Sequence, residues 1–392
     1  MDCKRSYCFV SNYLTPHQLP FCLAMQKETG NKFFFIETAA LPEERKRLGY
    51  PNLGGQYDFV LNATINTETF KQALKIANES DVVIIGSAPD RFIEQRLNEN
   101  KLTFRFSERI FKKSYFDPFR WGKYTLKNLK YCNKNLFFLL SSAYAAHDYK
   151  RCGIREDKMF KWGYFPEVSK DISVEIKKEH RKCVWVGRFL AWKHPDDAIR
   201  AVIQLNKKGY EVSLELIGDG EMSSFLHNIV ERNNAESYIS FKGNQPYEKV
   251  RDYMRGAEIF LFTSDYNEGW GAVLNEAMDS GCVVVASHAA GSVPYLIKNN
   301  ENGLIYNFEE RGQLVEKIEN VLQGKVSVKA IERCARETVA KEWSASNATK
   351  KLIDFCDAFF AGDYKKGIQE EGIFSYAHAI PQKEMYDSIK GE

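Results

Sequence analysis

The sequence predicts an α/β fold in which two doubly wound parallel-sheet domains face each other across a cleft. Short apolar runs alternate with amphipathic helical patterns along most of the chain, which is typical of parallel sheets covered by helices. The chain has 392 residues, too many for one compact domain and about right for two. A charged segment from Lys170 to Lys182, poor in apolar residues, separates the two series of strands.

The first domain is predicted over residues 1–168. It begins with a strand at Tyr7–Ser11, a loop from Asn12 to Pro20 and a helix from about Phe21. A second helix is predicted to end in the segment 73–78. The further predicted strands of this domain are Lys32–Ile36, Asp81–Gly86, Leu102–Phe106 and Leu136–Leu140.

The second domain is predicted over residues 169–345. Its predicted strands are Cys183–Gly187, Ser213–Gly218, Ile239–Gly243, Ile259–Phe262 and Cys282–Ala286. Its predicted helices are Pro195–Lys208, Met222–Glu231, Gln313–Leu322 and Val328–Val339. A long helix from about Ser344 to Phe360 and a polar tail from Gly362 make up a last segment, 346–392, expected to pack back toward the first domain.

Composition excludes several classes of protein. The formal net charge is only +3, whereas a dedicated nucleic-acid binder usually has a strong basic excess, so no nucleic-acid partner is expected. The nine cysteines include no Cys-x-x-Cys pair, so neither a zinc site nor a disulfide framework is indicated. The first residues lack the apolar core of a signal peptide, and no apolar run approaches the ~20 residues of a membrane span. A soluble, cytoplasmic protein is expected.

Residues 96–134 combine 11 Lys and Arg with three Asp and Glu, interleaved with aromatic residues. This composition suits peripheral contact with anionic lipid at the inner face of the cell membrane, or with a lipid-diphosphate acceptor. The alternative is a helix and loop whose aromatic side chains pack in the core and whose cations are solvated.

The strongest functional signal is the segment Ser264–Gly281. An apolar strand ends before it, a glycine-containing loop follows, and a helix is predicted from about Gly271. Glu268 in the loop and Glu276 in the helix can approach one ligand from two directions, and carboxylates accept hydrogen bonds strongly from sugar hydroxyls. The loop glycines and free amides at the helix start suit a phosphate. The alternatives are a solvated helix residue at position 276 and a charge complementing the helix dipole at position 268.

Two further motifs follow strand ends in the second domain. Arg188 and Lys193 lie between a strand and a helix, where cations would neutralise a diphosphate and stabilise it as it leaves. The alternative is two solvated surface cations. The turn at Gly218 and Asp219 has the same strand–glycine–helix setting, although tight turns need glycine with or without a ligand.

Glu268 and Glu276, separated by seven residues that include Gly-Trp-Gly, resemble the signature of retaining nucleotide-sugar glycosyltransferases of the GT-B fold, family four. The resemblance extends from Val184 to about Tyr306. It implies that Glu268 contacts the donor sugar, that Glu276 contacts the ribose, and that Arg188 and Lys193 hold the pyrophosphate. The implied nucleotide contacts are the backbone amides of Gly269, Trp270, Gly271, Ala272 and Val273, the turn at Gly218 and Asp219, and the base-reading segment at Gly243 and Asn244.

The resemblance also implies what reacts. A UDP-sugar is the expected donor, and a glycan or lipid-linked glycan of cell-surface polysaccharide synthesis is the expected acceptor. No cofactor is expected besides the donor. No Asp-x-Asp motif and no His pair at ligand spacing occur, so a metal-independent reaction is predicted.

The acceptor side is less marked. His17, in the loop after the first strand, and Glu108, after the strand at Leu102–Phe106, are its candidate residues. The loop around His17 lacks the glycines of many relatives, and Tyr295 stands where relatives often have Glu. Simple loop hydrogen bonding by His17 and helix capping by Glu108 are the alternatives.

Two other functions remain open from the sequence. One is a GT-B enzyme of different chemistry, a sugar-nucleotide epimerase or a phosphorylase. The other is a non-catalytic GT-B module that binds glycan or scaffolds a partner transferase. The presence of Glu268, Glu276, Arg188 and Lys193 together favours the transferase.

Overall fold

The structure, a computed structural model, describes residues 5–43, 51–112, 117–169 and 177–391. Contacts divide the chain into two compact units. Unit one comprises residues 1–167 and 343–380, and unit two comprises residues 168–342 and 381–392. The last predicted segment, 346–392, is therefore shared between the two units.

The described strands and helices alternate along most of the chain. The strands are β1 (Tyr7–Ser11), β2 (Phe33–Glu37), β3 (Val60–Asn62), β4 (Val82–Ile85), β5 (Thr103–Ser107), β6 (Leu136–Leu140), β7 (Met159–Lys161), β8 (Glu179–Val186), β9 (Ser213–Ile217), β10 (Ile239–Phe241), β11 (Ala257–Phe262), β12 (Val283–Ser287) and β13 (Leu304–Tyr306). The helices are α1 (Leu19–Glu28), α2 (Thr67–Glu79), α3 (Glu94–Asn98), α4 (Pro118–Tyr131), α5 (Ala145–Arg151), α6 (Pro195–Lys207), α7 (Ser223–Arg232), α8 (Tyr247–Gly256), α9 (Val273–Asp279), α10 (Val293–Leu296), α11 (Gly312–Leu322), α12 (Val328–Glu337), α13 (Ala345–Phe360) and α14 (Gln382–Ile389).

Unit one contains a parallel sheet of seven strands in the order β3-β2-β1-β4-β5-β6-β7. This is the doubly wound order, with the chain reversing its direction of growth between β1 and β4. Strands β1, β4 and β6 are buried at every position because helices cover both faces, which explains their continuous apolar sequences. The predicted α/β class and the doubly wound sheet are confirmed for this unit.

Unit two repeats the plan with six strands in the order β10-β9-β8-β11-β12-β13, all pairs parallel. Its core lies between the sheet and the helices α6, α7, α11 and α12, which contribute buried aliphatic side chains to one cluster. The carboxyl ends of β8, β9, β10 and β11 lead into the loops that carry Arg188, Asp219, Asn244 and Glu268. In doubly wound sheets ligands bind outside these strand ends.

Several elements differ from the sequence prediction. The short strands β3, β7 and β13 were not predicted, because runs of three residues carry too little pattern. Strand β8 begins at Glu179, inside the charged segment, and its first residues are exposed. Helix α14 lies in the polar tail that follows Gly362, where the hydrophobic residues have no clear helical period. Among the described residues, no helix combines the length and apolar character needed to cross a bilayer.

Candidate functional site

The loops after β8, β9 and β10 lie against one another in unit two. The Gly218 amide donates a hydrogen bond to the Gly243 carbonyl at 2.9 Å. Gly218 has φ +131°, and a Cβ at this position would stand 1.9 Å from the Gly187 carbonyl oxygen. Only glycine allows this close approach of two backbones. The sequence-predicted residues Gly218 and Gly243 are thus neighbours, next to the turn that leads to Arg188.

Asp219 organises the turn that follows. Its carboxylate accepts hydrogen bonds from the Gly220 amide at 2.7 Å and from the Ser223 hydroxyl, and these hydrogen bonds lower the pKa of Asp219. Asp219 and Asn244 are both exposed, and Arg188 is half-buried. The Asp219 side chain therefore stabilises the turn that leads into α7, a structural role that coexists with any ligand contact through the backbone.

Lys193 and Glu268 form an ion pair, with Nζ and Oε2 separated by 2.6 Å. The side chains are 13% and 10% exposed, so water screens the pair only partly. The Ser264 hydroxyl donates to the same carboxylate oxygen at 3.2 Å, and the Gly291 amide donates to the Glu268 carbonyl at 3.0 Å. Two residues predicted from motifs 75 positions apart are therefore in direct contact.

A hydrogen-bond chain fixes the backbone at Lys193. The Trp185 indole donates to the Thr263 hydroxyl at 2.9 Å, and Thr263 donates in turn to the Lys193 carbonyl at 2.7 Å. The Asp265 amide donates to the Trp192 carbonyl at 2.9 Å. The loops that carry the cation and the carboxylate are thus tied to each other. Sequence reasoning missed Trp185 and Thr263, which lie at the ends of the adjacent strands β8 and β11.

Glu276 lies in α9 and is only 6% exposed. The alternative of a solvated helix residue is therefore wrong. Burial raises the pKa of Glu276 to about 7, Arg251 opposes the rise, and Asp279 adds to it. Arg251 donates to the Glu276 carbonyl at 2.7 Å and pairs with Asp279. A carboxyl group at this pKa is present in both protonation states near neutral pH, so it can donate as well as accept a hydrogen bond.

The segment between the two glutamates is tightly packed. The Trp270 indole is buried and donates to the Asn275 side chain at 2.9 Å. Gly271 has φ +77°, and a Cβ there would lie 2.5 Å from the Phe262 ring. Helix α9 begins at Val273, with Ala272 as its N-cap, two residues later than predicted. Gly269 is buried, whereas Ala272 and Val273 are half-buried.

The two acceptor-side candidates lie close to one tyrosine of unit one. The Tyr164 hydroxyl donates to Glu108 at 3.0 Å, and the His17 and Tyr164 rings have centroids 6.5 Å apart. Glu108 also pairs with Lys112. Sequence reasoning missed Tyr164; its position three residues after β7 was the available signal. The buried Glu37 carboxylate accepts from the Leu14 amide at 2.9 Å and so holds the loop that carries His17.

The basic stretch 96–134 divides into an inner and an outer part. Residues 113–116 lie outside the described residues. Arg96 is fully buried and donates to backbone carbonyls, including those of Ser80 at 2.6 Å and Leu102 at 2.8 Å. Arg109 pairs with the buried Asp148 at 3.2 Å. These two cations hold the fold of unit one together and do not contribute to a basic surface.

The outer part of this stretch is helix α4. Its exposed face carries Phe119, 89% exposed, with Leu126 at 73% and Leu129 at 54%. Exposed cations are interleaved on the same helix at Arg120, Lys123 and Lys130. The helix contains no acidic residue.

One group of side chains in the described part of the chain has the composition of a metal site. His194, Asp196 and Asp197 offer ligand atoms that lie within 4.8 Å of one another. Arg311 donates to Asp197 at 2.8 Å, so a cation already neutralises this carboxylate. The group therefore has a structural explanation as an ion-pair cluster, and a metal-independent reaction stays a prediction.

Comparison with known proteins finds a family match for most of the second unit. Residues 169–338 match the family described as glycosyl transferases group 1. The amylovoran biosynthesis glycosyltransferase AmsK of Erwinia amylovora is 27% identical over 177 residues, which cover 44% of this chain and 43% of that protein. The GtfA subunit of the UDP-N-acetylglucosamine–peptide N-acetylglucosaminyltransferase of Streptococcus pneumoniae is 28% identical over 122 residues, 31% of this chain. The matched segment spans about a quarter, 24%, of the length of that GtfA protein.

Solved structures resemble the chain over most of its length. HepE of Anabaena, in complex with UDP, has a TM-score of 0.67 at 15% identity, covering 90% of this chain and 100% of that chain. Pneumococcal GtfA, in complex with UDP and GlcNAc, has a TM-score of 0.65 at 12% identity, covering 91% and 99%. The predicted resemblance is confirmed for the fold and for the matched segment: the chain has the GT-B fold, and its residues 169–338 match the glycosyl transferases group 1 family.

Proposed function

We propose that the protein is a glycosyltransferase that moves a sugar from a nucleotide-diphosphate donor, most simply a UDP-sugar, to a hydroxyl of a glycan or lipid-linked glycan. The observation that carries the proposal is the contact between Lys193 and Glu268 at the carboxyl edge of the second sheet. A cation suited to a diphosphate and a carboxylate suited to sugar hydroxyls meet there. The names of AmsK and GtfA support a role in polysaccharide or glycoconjugate synthesis.

In this proposal each residue serves one part of the donor. Glu276 binds the ribose hydroxyls, the loops at Gly218 and Gly243 lie along the nucleotide, and the amides of Gly269–Val273 bind the diphosphate. Arg188 and Lys193 neutralise that diphosphate. Glu268 orients the sugar, and donor binding shifts Lys193 from its ion pair with Glu268 toward the phosphates. No cofactor is needed besides the donor.

The proposed reaction retains the configuration of the anomeric carbon. The bond from that carbon to the diphosphate oxygen breaks, and the acceptor oxygen bonds to the carbon from the same face. The acceptor proton passes to the leaving diphosphate, so atoms and charge balance without a protein nucleophile. Arg188 and Lys193 stabilise the negative charge that develops on the leaving group, which is the largest electrostatic demand of the reaction.

The first experiment is a thermal-shift panel without metal, in EDTA. UDP, UDP-glucose, UDP-N-acetylglucosamine, GDP-mannose and ADP-glucose are tested on the wild type, on Glu276→Ala and on Glu248→Ala. Glu248 is an exposed carboxylate of α8 and serves as the matched control. A ligand at a hundredfold excess over its Kd stabilises the fold by about 2.7 kcal/mol.

We expect UDP and one UDP-sugar to raise the melting temperature of the wild type and of Glu248→Ala, but not of Glu276→Ala. Transfer is then measured with that donor, and the anomeric configuration of the product is read by NMR. No shift with any nucleotide would contradict the donor site and favour a non-catalytic module. If consumption of the donor requires inorganic phosphate, the protein is a phosphorylase. If the donor is isomerised in the absence of an acceptor, the protein is an epimerase.

We further propose that helix α4 rests on an anionic membrane surface, where a lipid-linked acceptor would be met. Apolar side chains flanked by cations, with no acidic residue, match a bilayer that carries anionic headgroups. Co-sedimentation with phosphatidylcholine vesicles, with and without phosphatidylglycerol, tests this contact.

Binding is expected only to the anionic vesicles and is expected to fall with added salt. The double variant Phe119→Ser/Leu126→Ser should lose most of it. Phe225→Ser, which removes an exposed aromatic side chain from α7 in unit two, should keep it. Equal binding of all three proteins, or none to either vesicle, would rule out this surface.

A further inference from the structure

The loop that carries Glu268 also carries Tyr266, whose hydroxyl contacts residues from two other strand ends. Tyr266 donates a hydrogen bond to Glu309 at 2.6 Å, and its oxygen lies 2.9 Å from His288 Nε2. His288 follows β12, and Glu309 follows β13. Three successive strand ends of unit two therefore meet at one phenol.

The hydrogen bond from the Phe308 amide assigns one tautomer to His288 in this network. The Phe308 amide donates to His288 Nδ1 at 3.1 Å, so this nitrogen carries no proton. The proton of the neutral ring is then on Nε2, which donates to the Tyr266 oxygen. Burial lowers the pKa of His288, which also favours the neutral ring. Tyr266 in turn donates to Glu309.

Helix α14, the last described helix of the chain, packs against this network through Tyr386. The Tyr386 ring lies 5.1 Å, centroid to centroid, from the His288 ring. The Tyr386 hydroxyl donates to the Gln313 side chain at 2.8 Å, and the Lys390 carbonyl accepts from Asn299. Helix α14 is thus attached to the rest of unit two at its middle and just after its last residue. A cavity of about 640 Å³ beside it is lined by Tyr266, His288 and Tyr386, among others.

We propose that Tyr266, His288 and Tyr386 are positioning residues that hold the Glu268 loop in its working geometry, with helix α14 packed against the His288 ring through Tyr386. The proposal rests on the proposed function, because Glu268 is there the residue that orients the donor sugar. Tyr266 lies two positions before Glu268, and the Glu268 amide donates to the Asp265 carbonyl at 3.0 Å. Movement at Tyr266 is therefore transmitted to Glu268 through one tight turn.

The test compares Tyr266→Phe and Tyr386→Ala with the control Tyr210→Phe. Tyr210 also lies in unit two and also donates its hydroxyl to a glutamate, Glu319, at 2.8 Å, but away from this loop. Amide hydrogen exchange is followed by mass spectrometry in peptides that cover residues 264–271, in the protein without ligand. We expect faster exchange in the first two variants and wild-type exchange in the control. If Tyr386→Ala does not fold, Tyr386→Leu replaces it.

Steady-state kinetics with the UDP-sugar that the thermal-shift panel identifies provide a second test. A positioning role predicts that kcat falls about tenfold in Tyr266→Phe while the donor KM stays within about twofold. Unchanged exchange in residues 264–271 would overturn the proposal, as would an equal effect in Tyr210→Phe. Because hydrogen exchange needs no donor, its result stands even if the panel finds none and the proposed function fails.

Discussion

The Lys193 ammonium lies 2.6 Å from the Glu268 carboxylate, and each is the principal charged partner that the structure gives the other. The two residues come from loops that follow the adjacent strands β8 and β11. In the proposed reaction they serve neighbouring parts of the donor, the diphosphate and the sugar. Their contact compensates both charges.

The first prediction concerns the energy of this ion pair. Lys193→Met leaves Glu268 with Ser264 as its hydrogen-bond donor and should lower the free energy of unfolding by about 2 kcal/mol. Glu268→Gln alone should lower the free energy of unfolding by less than Lys193→Met does. The double variant Lys193→Met/Glu268→Gln should be more stable than the sum of the two single losses predicts. Urea denaturation of the four proteins gives the coupling energy. Strict additivity of the two single changes would show that the pair contributes nothing.

The second prediction concerns the pH dependence of stability at Glu276. Because burial raises its pKa from 4.5 to about 7, the folded protein holds this proton more tightly than the unfolded chain. Stability is therefore lost as pH rises from about 4.5 to about 7 and is constant above that range. Glu276→Gln removes this loss. The variant should be more stable than the wild type at pH 8 by up to about 3 kcal/mol, with little difference at pH 4.5.

Urea midpoints of the wild type and Glu276→Gln, measured from pH 4.5 to pH 8, test this. A difference that does not change with pH would mean that the carboxyl titrates normally. The same variant should lose UDP binding, so stability and function would move in opposite directions at one residue.

The third prediction concerns the backbone contact at Gly218. A methyl group at this position would overlap the Gly187 carbonyl, so Gly218→Ala must separate the loops after β8 and β9. We expect a loss of about 3 kcal/mol of stability, together with weaker UDP binding. Gly312→Ala is the control, since no atom lies within 4 Å of the Cβ that it would add. Equal melting temperatures of the two variants would contradict the close approach.

The fourth prediction concerns Arg96. Its guanidinium donates to five backbone carbonyls around the ends of α2 and α3, those of Ala77, Asn78, Ser80, Asp81 and Leu102. Arg96→Met leaves these buried acceptors without their donor and should cost about 4 kcal/mol. Arg120→Met, on the exposed face of α4, should leave stability within about 0.5 kcal/mol. The melting temperatures of Arg96→Met and Arg120→Met test this prediction. A small loss of stability in Arg96→Met would mean that the Arg96 guanidinium is solvated instead of buried.

Local pattern was enough for the fold class and for most strands. The apolar runs at Val82–Ile85 and Leu136–Leu140 are buried on both faces, and such runs are readable without knowledge of their neighbours. The strand β13 and the tail helix α14 were missed, because a three-residue strand and a short polar helix depend on the surface they pack against. The motif around Glu268 could also be recognised from the sequence, because its residues are contiguous, as are those of the longer strands.

The sequence by itself determined the two α/β units, the glycines of the strand-end loops and the set of charged residues at the candidate donor site. The tertiary structure alone decided what each charge does. It paired Lys193 with Glu268 and buried Glu276. It also placed Arg96 in the core of unit one and left Arg120, Lys123 and Lys130 of α4 exposed. The physical reason is that burial and charge pairing arise between segments distant along the chain, and sheet order and register bring those segments together.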